Sequence, residues 1–248
     1  MFAATQHVLM GDGLMQSPLY VPGVSLWLAG DQITGLSDGD PVGTWSDASG
    51  NGNNATQAVA AAKPVYKVNI LNGKPVVRFA GVDDTLAMTD FIDLGTADHT
   101  LFIVATKTTE DGVFSTGFLE QQSDSTHRYV IWQVRLTPWT QNYYHNTGIG
   151  AGFAGSLGTF RVRTFRRNGT TSEHFANGGA GQSAVAADFV ASGGGGINLG
   201  RTGGTLGAYV QGDMAEIILY NRALSNAEIN RVNAYLSRKY GITVTAVS

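Results

Sequence analysis

The chain has 248 residues, no cysteine, 14% charged residues, 33 glycines and a formal net charge of −3. The lack of cysteine excludes a disulfide framework and a thiolate metal site. The charge balance excludes the basic stripe of a nucleic-acid binder, and no apolar run of about 18 residues exists to insert in a membrane. The length suits a single all-β sandwich of ~200–250 residues, enough to bury a large core without staples.

Residues 1–22 read as an apolar-speckled arm. Gly11, Asp12 and Gly13 interrupt it and no positive region opens it, so it does not read as a secretory signal. Its residues Phe2, Leu9, Met10, Leu14, Met15, Leu19 and Tyr20 are candidate contacts for a partner. Residues 23–248 then form one domain. Val24 to Ala29 alternates as a strand, Thr44 to Asp47 is short and extended, and Asp47 to Asn54 is dense in turn formers. Val65–Ile70 and Lys74–Phe79 flank Asn72-Gly73, a hairpin signal because both turn residues accept positive φ. Thr100–Thr106 reads as a buried strand, and Arg128–Val134 and Thr159–Phe165 as half-buried ones. Asn168-Gly169 is a second turn, and 170–176, 197–199 and 209–220 supply further strands. Many short strands between turn signals give an all-β, two-sheet antiparallel sandwich. One helix follows, from the Ser225–Glu228 capping box to Gly241, with Ile229, Val232 and Leu236 on one face; it is expected to close an edge or end of the sandwich.

Three segments resemble a known family. Gly212-Asp213-Met214-Ala215-Glu216 with Tyr220-Asn221-Arg222-Ala223-Leu224-Ser225 resembles the closing strand and helix start of bacterial and phage laminin-G-like domains. Trp45-Ser46-Asp47 with Ser49-Gly50-Asn51-Gly52-Asn53, and Arg78-Phe79-Ala80-Gly81-Val82-Asp83-Asp84, resemble two of that family's turns. The resemblance covers residues 24–241 and implies a concanavalin A-like jelly roll. It implies function only weakly, because this fold hosts lectins, glucanases and virion parts alike.

Glycosidases of this fold space their carboxylates evenly along one strand so that they share a face. Asp213 and Glu216 are three apart, which sends them to opposite faces of a regular strand; Asp83 and Asp84 are adjacent. No catalytic residue is assigned on this ground. Asp83 and Asp84, with the Asp38-Gly39-Asp40 loop, are weak calcium candidates; no other cofactor is expected. The five histidines are scattered, and Gly150–Gly155 matches a dinucleotide fingerprint without the helix it requires. Arg161, Arg163 and Arg167 share one strand face, read as solvated. Trp27 and Trp45 read as core. The candidate ligand site is the 139–146 loop, where Trp139, Tyr143 and Tyr144 offer stacking faces beside Asn142 and His145.

The expected function is a non-enzymatic structural protein on a virion, a capsid decoration or tail-associated subunit. It docks through its arm and forms homo-oligomers or joins capsid or tail proteins. The alternative is a carbohydrate-binding, lectin-like module using the 139–146 loop, extracellular or on a cell surface. A glycan hydrolase ranks third.

Overall fold

Asn72 and Gly73 adopt φ values of 50° and 73°, as a two-residue hairpin turn requires, and join strands β4 and β5 defined below. The turn between Asn168 and Thr171 falls one residue later than the sequence suggests. Gly169 takes the positive φ there, and its amide is held by Asp98. The computed structural model describes residues 17–109, 117–122, 128–135, 140–145, 149–154, 157–185, 196–202 and 208–248. In chain order the strands are β1 Val24–Ala29, β2 Thr44–Trp45, β3 Ala55–Thr56, β4 Val65–Leu71, β5 Lys74–Ala80 and β6 Leu86–Met88. Next come β7 His99–Lys107, β8 Leu119–Gln122, β9 Arg128–Arg135, β10 Thr140–His145, β11 Ile149–Ala154 and β12 Arg161–Asn168. The last are β13 Thr171–Ala176, β14 Gln182–Val185, β15 Ile197–Leu199, β16 Arg201–Thr202, β17 Ala208–Tyr209 and β18 Gln211–Tyr220, followed by helix α1, Asn226–Tyr240.

Two antiparallel sheets form a sandwich. The first runs β14-β13-β12-β7-β18-β5-β4, with β1 beside the second half of β18; the second runs β11-β10-β9-β8-β15-β6-β3-β2. Leu26, Trp45, Phe79, Leu101, Ile103, Phe118, Leu199, Ile217 and Leu219 fill the space between them. The helix does not close an edge. It lies on the outer face of the first sheet, burying Ile229, Val232, Tyr235, Leu236 and Tyr240 against Phe102, Val104, Val162 and Ile218. This explains why β7 is buried at all nine positions: one face meets the other sheet and the other meets the helix.

That placement also corrects the reading of β12. Arg163 and Arg167 are fully buried on the inner face, in register with Ile103 and His99, whereas Val162 packs outward under the helix. Sequence alternation gives which residues share a face, not which face is wet. Burial, and then the like charge of Arg161, push the Arg163 guanidinium down to about 9.

The Trp45–Asn53 turn serves structure. Asp47 accepts the amides of Trp27, Ser49 and Asn53, and the Asn53 side-chain amide donates to the Ser25 carbonyl, fixing the turn on β1. Trp45 is core as expected, whereas Trp27 is half-buried beneath the helix. From Ser17 onward the arm is already tied to the sandwich: the Tyr220 hydroxyl donates to the Pro18 carbonyl, and Val21 joins the outer core.

The helix begins as the sequence indicates. The Ser225 hydroxyl accepts the Glu228 amide, and Glu228 accepts the Ser225 amide and a two-pronged pair from Arg222. The Arg222 guanidinium first, then the Ser225 amide, pull the Glu228 carboxyl down to about 2. A carboxyl with a depressed folded pKa stabilises the native state above its unfolded pKa, and that contribution is lost as pH falls through the folded one. The window here is about pH 4.5 down to 2. Solvent screening of this part-exposed pair keeps its size near ~1 kcal/mol. The stability gap between wild type and Glu228→Gln, followed by urea unfolding, is expected to shrink across that window and to stay constant above it.

Candidate functional site

β5 ends at Ala80, and Gly81 turns the chain with φ 81°. A side chain at Gly81 would meet the Gln211 Cβ at 2.8 Å, so the turn needs glycine both for its backbone and for its space. The Asp84 carboxylate closes the turn by accepting the Ala80 amide at 2.6 Å. Asp84 is 6% exposed, and burial raises its pKa, aided by the charge of Asp83 and opposed by the Ala80 amide. Asp83, next to it, is exposed.

Arg78 projects from the outer face of β5 beside this turn. Its Nε and Nη2 donate to the two carboxylate oxygens of Asp213 on β18, at 2.7 and 2.9 Å. The Asp213 side chain is 3% exposed and that of Arg78 is 41% exposed, so the pair has a buried acid and an open guanidinium. Together with Lys63, Phe79, Val82, Thr108 and Gln211, Arg78, Asp83 and Asp84 line an open cleft of about 740 Å³. That size lies within the ~300–1,000 Å³ typical of ligand sites.

The structure corrects the reading of carboxylate parity. The pairing of β18 with β7 shifts register between Met214 and Glu216, leaving Ala215 as an extra residue. Asp213 pairs with Thr106 and Glu216 with Val104, so both point outward. A β-bulge flips parity, and three-residue spacing then places two acids on one face. Both are engaged: Asp213 with Arg78, and Glu216 with Trp27, Tyr235, Tyr240 and Lys239 under the helix.

The sequence-derived candidates are placed as follows. Asp83 and Asp84 sit in the cleft. Asp38 is bonded to Lys67 and the Val68 amide, and Asp40 to the Ser37 amide. Among the described residues no three His, Asp or Glu side chains gather to hold a metal. Leu19 and Tyr20 are exposed in a short turn of 3-10 helix, Pro18–Tyr20. Phe2, Leu9, Met10, Leu14, Met15 and Trp139 lie outside the described residues. Asn142, Tyr143, Tyr144 and His145 fall in β10, not in a loop, and the backbone of β10 pairs with β9 and β11. Arg78, Lys63, Thr108 and Gln211 were not candidates. Arg78 and Asp213 each stand in a motif quoted above, but nothing in their spacing announces that they pair.

No protein-family model matches the chain, and no curated protein matches it in sequence. Solved structures do match its fold. One is domain 4 of an extracellular GH43 arabinanase from Geobacillus stearothermophilus, in complex with arabinotriose. It has a TM-score of 0.60 and 13% identity, over 86% of this chain and 98% of that one. A GH54 α-L-arabinofuranosidase has a TM-score of 0.57 and 16% identity, over 81% of this chain and 51% of that one. The sialidase of Trypanosoma rangeli has a TM-score of 0.52 and 15% identity, over 88% of this chain and 33% of that one. The chain thus spans nearly all of the arabinanase domain, about half of the arabinofuranosidase and a third of the sialidase.

At these identities the likeness is one of fold, a β-sandwich that recurs in carbohydrate-active proteins. It corrects the expectation of a non-enzyme: the neighbouring chains belong to glycoside hydrolases, and the parity argument behind that expectation fails at Ala215.

Proposed function

We propose that the chain is a carbohydrate-binding β-sandwich whose ligand site is the cleft beside Arg78. The observation that carries this is the cleft's make-up. A guanidinium, an ammonium, carboxylates and an amide stand beside the exposed Val82. Sugars present hydroxyls that both donate and accept, and charge-assisted bonds to such groups are roughly twice as strong as neutral ones. Arg78 is held in place by Asp213, so little side-chain freedom is lost when it grips a ligand. The arabinanase domain supports the reading, because a sandwich of this fold and extent is in complex with arabinotriose there. The laminin-G-like kinship drawn from Gly212–Ser225 belongs to the same proposal.

The test is a glycan-binding panel run on wild type and Trp139→Ala. Binding of an oligosaccharide by both is the expected result. Loss on Trp139→Ala would move the site to the 139–146 segment. The same mixtures, assayed for new reducing ends, show whether bound glycan is also cleaved.

One observation favours docking through residues 1–22 as a second role. Pro18 is buried against the sandwich while Leu19 and Tyr20 stand 50% and 45% exposed, presenting apolar surface beside the arm.

A further inference from the structure

We infer that the cleft selects neutral glycans and turns away those that carry a carboxylate. This rests on the carbohydrate reading above and adds the chemical class of the ligand. Arg78 and Asp213 form a two-pronged pair that is neutral as a unit. Of the other charged groups lining the cleft, one is a cation, Lys63, and two are acids, Asp83 and Asp84. Asp83 is exposed, and neither it nor Lys63 makes an ion pair among the described residues.

A neutral sugar can satisfy this set. Its hydroxyls donate to Asp83 and accept from Lys63 and from Arg78 Nη1, which takes no part in the grip on Asp213. An acidic sugar brings a further negative charge into a cleft where acids already outnumber the unpaired cation. Like charges brought together at an interface suppress the wrong partner strongly.

The experiment is calorimetric titration of the full chain with arabinotriose and xylotriose, and with sialyllactose and trigalacturonate, at low and at high salt. The neutral sugars are expected to bind at least about tenfold more tightly than the acidic ones at low salt, with the gap narrowing as salt screens the charge. Asp83→Asn keeps the side-chain shape and removes the charge. It should strengthen acidic-sugar binding severalfold relative to neutral-sugar binding. Acidic sugars binding as tightly as neutral ones in wild type, or a neutral-to-acidic ratio unmoved by Asp83→Asn, overturns the inference and leaves the carbohydrate reading standing. Failure of all four sugars to bind removes that reading and the inference with it.

Discussion

Glu216→Ala is expected to lower unfolding stability by about 3 kcal/mol, the low end of the ~3–5 kcal/mol that follows removal of one partner from a buried ion pair. Glu216 is 1% exposed on the outer face of β18. It accepts the Trp27 indole N–H at 2.5 Å and the hydroxyls of Tyr235 and Tyr240 at 2.8 and 2.7 Å, and it pairs with Lys239 at 2.9 Å. Burial first, and the Glu216 charge next, push both tyrosine pKa values well above the ordinary range, so both hydroxyls stay donors at neutral pH. Truncation would take the acceptor from the Trp27 and Tyr235 donors and leave Tyr240 only its 3.3 Å contact with the Ala215 carbonyl. Asp31, 2.7 Å from Lys239, keeps the ammonium paired and holds the loss to the low end. Of the four partners, Trp27 is on β1 and the other three are on helix α1's last turns, so the network fastens the helix to the sheet. Urea unfolding reads the loss directly. A change below about 1 kcal/mol would mean that apolar packing alone holds the helix.

Arg78→Lys is expected to weaken oligosaccharide binding at least about tenfold while the protein stays folded. Lysine keeps the charge beside Asp213 but cannot make the planar two-pronged grip, and it presents no fixed second donor to the cleft. Arg78→Ala should abolish binding as well, but it also strands the buried Asp213 carboxylate. The guanidinium is half open to water, so that cost falls near ~2 kcal/mol rather than at the buried-pair maximum. The lysine variant therefore separates lost recognition from lost stability. Calorimetric titration of both variants, with their melting curves, checks it.

Features encoded in a few adjacent residues were legible. The Asn72-Gly73 hairpin, the Ser225–Glu228 capping box and the alternation of β12 follow from local chemistry and stand in the structure as expected. Features set by distant packing were not. The inner burial of Arg163 and Arg167 depends on where the helix docks, and no residue of β12 carries that information. The bulge at Ala215 lets one edge of β18 serve β5 with its first half and β1 with its second, and this undid the parity reading of Asp213 and Glu216. The cleft assembles from Lys63, Arg78–Asp84, Thr108 and Gln211, segments far apart in sequence that become neighbours only when β4, β5, β18 and β7 align. Only Asp83 and Asp84 were singled out there, and for a metal rather than a sugar.

The claim that this sandwich holds a glycan beside Arg78 is tested most directly by an isotope-labelled NMR titration with a neutral oligosaccharide that binds. The predicted result is saturable shifts at residues 78–84 and at Gln211, lost in Arg78→Lys. Shifts confined to residues 140–145, or shifts at 78–84 that persist unchanged in Arg78→Lys, would contradict it.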